Sequence, residues 1–266
     1  MPRGSIDEQR LAFGTVAELY DRARPSYPAA TIDTLCERAQ LRPGSEVLEV
    51  GAGTGKATRL LAGRGLIVTA LEPDAAMAAI ARRNGAAHAN VELEPLAFED
   101  WRPRQRVRAV VCFQAWHWIE PTVRYTLAAD ALENGGWLAA VWTFPEWATT
   151  TLRDALTAVY AAAAPGLAAD FPMHPASEPT RLAGDWTAEI AACPELTDAH
   201  VHAHLWSARY SAAEYRALIE THQDHILLPK PEKARLLSAV AQAIDIAGGI
   251  DLDFVTRLCM ARRAST

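Results

Sequence analysis

The chain has 266 residues, 50% of them hydrophobic and 22% charged, the balance of a folded globule with a sizeable core. Its net charge is −6 and it has no long run of Lys or Arg, which argues against nucleic acid as the main partner but does not exclude a small acidic substrate. Cys36, Cys112, Cys193 and Cys259 are too scattered for a zinc ribbon or a redox CxxC pair. They suit a reducing cytoplasm. The opening "MPRGSIDEQR" has no apolar core, so no secretory signal is expected there, and no apolar run reaches transmembrane length.

In chain order, "YPAATIDTLCERAQL" predicts a helix ahead of the first strand. Short β-rich runs then alternate with helical patterns. The runs are Glu46–Val50, Leu66–Leu71, Val91–Pro95, Arg108–Phe113 and Gly136–Trp142. Between them, "TGKATRLLAGRG", "DAAMAAIARRN" and "PTVRYTLAADALEN" carry apolar residues at helical spacing, with Asp74 as an N-cap. Apolar strands alternating with helices predict an α/β fold, a mostly parallel sheet with helices on both faces. Pro145 to Leu196 reads as an inserted helical cap. Asp198–Tyr210 and Ile250–Arg262 then add two antiparallel strands to make seven, with helices between them. The expected organisation is N-terminal lid helices over 1–40, a core over 41–144 and 198–266, and the cap over 145–197.

The first strand runs into "VLEVGAGTGKATRLLA", with glycines at 51, 53 and 55. A P-loop fails at both ends, since Val50 stands in place of the first Gly and Ala57 in place of the magnesium-binding hydroxyl. A dinucleotide fingerprint has its third Gly one residue later, where Lys56 stands. An NAD-dependent oxidoreductase is therefore a weaker alternative. The pattern Glu49-x-Gly51-x-Gly53-x-Gly55 resembles the first motif of the class I S-adenosylmethionine-dependent methyltransferases, small-molecule branch. The glycines let backbone lie against a ligand. The second strand ends in Glu72, placed to accept from ribose hydroxyls; the plainer reading is a solvated turn charge.

The resemblance covers Phe13 to Trp142 well and implies a Rossmann-like class I methyltransferase fold with S-adenosylmethionine as cofactor. It implies an adenine-binding turn at Ala97 and Phe98, further cofactor contacts from Gln114, and cofactor closure by Tyr20 and Arg24 of "YDRARPSYP". Tyr27, Trp116, Trp142 and Trp147 are the expected acceptor-side residues. The tail departs from the family: relatives often read T-x-S where this chain has Thr221-His222-Gln223. No metal is expected. A protein that uses bound S-adenosylmethionine for other chemistry would carry the same motifs.

Three further readings concern histidines and the cap. His117 follows the fourth strand, where an unperturbed imidazole, titrating near ~6.5, would be a general base; its alternative is scaffolding between Trp116 and Trp118. His200, His202 and His204 share a strand face, as zinc ligands or as a polar face. His222 and His225 are three apart on a helix, lining a pocket or the surface. Phe144, Trp147, Phe171, Met173 and His174 in the cap suggest a small, partly apolar or aromatic acceptor.

Overall fold

The computed structural model describes residues 11–147, 150–168 and 186–264. Phe171, Met173 and His174 lie outside the described residues. The strands are β1 (Glu46–Val50), β2 (Ile67–Leu71), β3 (Val91–Glu94), β4 (Val107–Phe113), β5 (Leu132–Glu146), β6 (Leu196–Tyr210) and β7 (Ile250–Arg263). They form one seven-stranded sheet in the order β3-β2-β1-β4-β5-β7-β6. β1 pairs in parallel with β2 and β4, β2 with β3, and β4 with β5.

β7 runs the other way. Thr143 bonds Thr256 while Arg262 and Arg263 bond Gly135 and Leu132, so numbers rise on one strand as they fall on the other. Ser207 with Asp253 and Arg209 with Asp251 show the same for β6 and β7. β7, between β5 and β6, is antiparallel to both, so of the two strands expected to be antiparallel only β7 is reversed, and β6 runs in the direction of β1–β5.

The helices are α1 (Ala17–Ala23), α2 (Ala29–Arg38), α3 (Lys56–Ala62), α4 (Ala75–Gly85), α5 (Arg124–Ala131), α6 (Thr151–Ala163), α7 (Pro165–Ala168), α8 (Trp186–Ala191), α9 (Ala212–Glu220), α10 (Gln223–Ile226) and α11 (Lys230–Ile246). Asp74 caps α4, its side chain accepting from the N–H groups of Ala76 and Met77 at 2.9 Å each. The helix expected over 121–134 stops at Ala131 and β5 begins at Leu132, four residues early. Arg108 on Glu133 and Arg262 on Gly135 hold this polar segment to the neighbouring strands.

Two compact units divide the described residues. The first holds 26–143, 186–204 and 256–264. Its β1 is buried from Val47 to Val50, as a parallel strand covered on both faces must be. Ile32 and Leu35 of α2 and Leu61 of α3 pack with Val47, Val68 and Val111 of the sheet. The second unit holds 11–25, 144–147, 150–168 and 205–255. There Leu156 and Tyr160 of α6, Leu218 and Ile219 of α9, and Leu236 and Val240 of α11 share one core with Trp147 and Phe254.

This grouping differs from the one expected by sequence. α6 and α7 join the helices between β6 and β7, because their apolar faces fill the same core, whereas α8 stays with the first unit. Trp147, expected to line the acceptor pocket, is buried in the second unit's core with its ring edge-on to Tyr215 at 6.5 Å. Trp147→Ala is therefore expected to lower the unfolding free energy by about 3–5 kcal/mol. Urea titration of the variant checks this, and an unchanged midpoint would return Trp147 to the surface of a pocket.

Candidate active site

β1, β2 and β4 end side by side, and the loop after β1 is built from that edge. The N–H groups of Gly51 and Ala52 both donate to the Leu71 carbonyl at 2.9 Å. The Gly53 N–H donates to Glu72 Oε2 at 2.8 Å, and the Asp74 N–H to Glu72 Oε1 at 2.9 Å. Glu72 thus braces the glycine loop against the entry of α4.

All three glycines have positive φ, +72°, +58° and +80°, the region that favours a residue without Cβ. Their surroundings differ. A Cβ on Gly51 would stand 2.5 Å from the Cβ of Ala115, and one on Gly55 would stand 3.3 Å from Ala81 of α4. A Cβ on Gly53 would meet nothing nearer than Met77 at 3.9 Å. Gly51 and Gly55 therefore permit close packing of the chain on itself. Gly53 alone faces open space.

Beneath the loop lies Glu49, 1% exposed. Its Oε2 accepts from the Thr58 hydroxyl at 2.6 Å, and its Oε1 is buried with no hydrogen-bond partner among the described residues. Burial raises its pKa to about 8, against the Thr58 bond and with help from Glu72. A buried carboxyl with one unpaired oxygen, under a loop open at Gly53, fits the ammonium end of an amino-acid ligand such as S-adenosylmethionine. With both oxygens of Glu72 already on backbone N–H groups, ribose hydroxyls would use their remaining lone pairs.

After β4 the chain turns through Gln114, left-handed at φ +59°, into a 3₁₀ turn over Trp116–Trp118. Gln114 donates through Nε2 to the Thr143 carbonyl at 3.0 Å. His117 Nδ1 faces the Trp142 indole N–H at 3.4 Å. An indole N–H can only donate, so Nδ1 accepts and the proton of the neutral ring is assigned to Nε2. Burial, aided by Arg124, lowers the His117 pKa to about 4, in contrast to the ordinary value expected by sequence.

Sequence reading missed a second cluster around this turn. Trp186 of α8 lies 6.5 Å from Trp116, 6.0 Å from Tyr125 and 6.1 Å from Trp142, centroid to centroid. Arg124 pairs with Glu189, which also accepts from the Tyr125 hydroxyl. Arg124 Nε and Trp186 Nε1 are buried donors without a hydrogen-bond partner among the described residues. "DWTAEI" carried no motif; only its Trp and Glu on one helix could have pointed here.

The remaining expected site residues are placed as follows. Ala97 and Phe98 are buried in a turn after β3. Tyr27 packs on Phe113, ring centroids 4.8 Å apart. Tyr20 and Arg24 belong to the second unit. There Arg24 stands over the Tyr20 ring and donates to the Thr221 hydroxyl at 2.8 Å and carbonyl at 3.1 Å. Thr221, which opens the Thr221-His222-Gln223 stretch, is thus fully buried as the anchor of Arg24. His222, Asp224 and His225 bring ligand-type atoms within 4.8 Å of one another. His225 meets Asp224 through Nδ1 at 3.0 Å and the Tyr160 hydroxyl through Nε2 at 2.8 Å, fastening α10 to α6. His200, next to Asp198 at 2.9 Å, and His202 have ring centroids 6.4 Å apart on β6.

Residues 47–136 match a family model described as a methyltransferase domain. An uncharacterized methyltransferase of Mycobacterium tuberculosis is 40% identical over 135 residues, 51% of this chain and 53% of that protein. The chain thus spans about half the length of such curated relatives. Among solved structures, a protein of Anaeromyxobacter dehalogenans assigned as a Type II methyltransferase superposes with a TM-score of 0.64 at 21% identity, over 91% of this chain and 99% of that one. Phospholethanolamine N-methyltransferase 2 of Haemonchus contortus, in complex with phosphomonomethylethanolamine and S-adenosylhomocysteine, superposes at 0.53 and 14% identity, over 98% and 58%.

Two outcomes follow from this geometry. Gly51→Ala must displace Ala115, whereas Gly53→Ala costs only the left-handed strain of about 1–2 kcal/mol. Denaturant melts should place Gly51→Ala well below Gly53→Ala; the reverse order would contradict the packing described. His117 should titrate near pH 4 by NMR, assigned by loss of its signal in His117→Gln. Its folded pKa lies below the unfolded ~6.5, so this group's contribution to stability is present above ~6.5 and lost as pH falls toward 4. A midpoint near 6.5 would contradict its burial.

Proposed function

We propose that the chain is a class I methyltransferase, on the match of residues 47–136 to a methyltransferase domain and on its fold, and that it binds S-adenosylmethionine and methylates a small, partly apolar or aromatic acceptor in the cytoplasm. The observation that carries this reading is the buried, half-satisfied carboxyl of Glu49 beneath a glycine loop open at Gly53. S-adenosylmethionine supplies a methyl group already activated by its sulfonium.

The chain's own residues orient and enclose. Glu49 holds the ammonium, Glu72 the ribose, and the backbone at Gly53 lies along the ligand. Ala97 and Phe98 provide the adenine turn, and Gln114 shapes the floor. Trp116, Trp142 and Tyr27 flank the acceptor. Aromatic faces favour a sulfonium. Alignment and exclusion of water supply the rate, so no metal is required. The net charge of −6 argues for a small molecule rather than a nucleic acid as acceptor. Among the described residues no helix is long and apolar enough to cross a membrane.

Calorimetry with S-adenosylhomocysteine, with NAD as the control, tests the cofactor. Glu49 is protonated at neutral pH in the free protein and ionises against the ligand's ammonium. Binding at pH 7 therefore releases a proton, seen as a heat that depends on buffer ionisation, and affinity rises with pH up to about 8. Glu49→Ala should weaken binding by at least about tenfold, ~1.4 kcal/mol, and remove the buffer dependence. Binding of NAD but not S-adenosylhomocysteine would overturn the assignment.

A further inference from the structure

The turn after β4 and α8 carry a donor set that the cofactor reading does not use. Ala115, whose Cβ abuts Gly51, is followed directly by Trp116 and His117, so this cluster borders the glycine loop within one unit. It presents N–H donors. His117 carries its proton on Nε2, because Trp142 donates to Nδ1. Trp186 is 4% exposed and its indole N–H is without a hydrogen-bond partner among the described residues. Arg124, its side chain 12% exposed, spends Nη2 on Glu189 and Nη1 on the Trp116 carbonyl but leaves Nε buried and unbonded among the described residues.

A buried donor without a partner carries an uncompensated desolvation cost, which a ligand with accepting oxygens would relieve. Glu189 already accepts from Arg124 and Tyr125, and the lone pair of His117 faces an indole N–H. A hydroxyl or amine acceptor loses a proton on methylation; an ionised carboxyl does not.

We propose that His117, Arg124 and Trp186 bind the carboxylate of an organic acid, and that a carboxylate oxygen is the methyl acceptor; this rests on the cofactor reading above. The oxygen forms a bond to the methyl carbon of S-adenosylmethionine as the carbon–sulfur bond breaks. That bonding pair stays on sulfur, which becomes a neutral thioether. The product is a methyl ester, and no proton is transferred. His117 is a donor to the acceptor here, not a base.

The test uses the full chain loaded with S-adenosylhomocysteine. Benzoate, phenylacetate and succinate are compared with benzyl alcohol, 2-phenylethanol and 1,4-butanediol by tryptophan fluorescence. Turnover with methyl-tritiated S-adenosylmethionine then asks whether the label leaves as methanol after mild alkali. At least one carboxylate should bind tenfold or more tighter than its alcohol and yield alkali-labile label without proton release. Trp186→Phe, which keeps the ring and loses the N–H, should weaken carboxylate binding severalfold with S-adenosylhomocysteine affinity unchanged. His117→Gln, which keeps a donor near Nε2, should retain binding that His117→Phe loses. Alkali-stable label, or S-adenosylhomocysteine binding with no carboxylate binding, overturns the carboxylate proposal and leaves the cofactor reading standing. Failure to bind S-adenosylhomocysteine overturns both.

Discussion

A carboxyl group sealed at the end of a parallel strand must hold a proton or meet a cation. Glu49 is in that position, and the loop above it is built around the consequence. β1 is covered on both faces, so Glu49 is almost fully buried, and Thr58 satisfies only one of its oxygens. The next strand ends in a second carboxylate, Glu72, which is spent differently: it pins Gly53 and the start of α4. One acid thus fixes the shape of the loop while the other keeps an unmet need for charge. A buried carboxyl with an unpaired oxygen beside a preformed loop is a binding site that has already met part of its ordering cost.

The same economy operates after β4. Gln114 takes a left-handed turn, and the chain tightens into the 3₁₀ segment that sets His117 against Trp142. Packing then decides the chemistry of the imidazole. An exposed histidine here would be a base at neutral pH, whereas one buried against an indole N–H and near Arg124 stays neutral and donates. The aromatic cluster of Trp116, Tyr125, Trp142 and Trp186 gives these polar groups a rigid, water-poor setting, in which hydrogen bonds count for more.

Much of this was legible in the residues. Strands with apolar residues on both faces and helices with apolar stripes mark themselves, as in Glu46–Val50 and Ala75–Gly85. The Glu49-x-Gly-x-Gly-x-Gly spacing located the loop. What was not legible depends on contacts distant in sequence. The division of labour between Gly51 and Gly53 turns on Ala115, some sixty residues on. The helices between β6 and β7 share a core with α6 through side chains whose pattern says only that they are buried. Glu189, opposite Arg124, stands in a segment without any motif. Arg24 reads as a cofactor ligand by position, and its hydrogen bonds to Thr221 appear only in three dimensions.

The protonation state of Glu49 is the point on which the account turns, and infrared difference spectroscopy observes it directly. With glutamate ¹³C-labelled at the side-chain carboxyl, the free protein at neutral pH should show a protonated-carboxyl band that converts to a carboxylate band when S-adenosylhomocysteine is added. The change should be missing in Glu49→Gln. A Glu49 already ionised before ligand is added, or a conversion that persists in Glu49→Gln, would contradict the account.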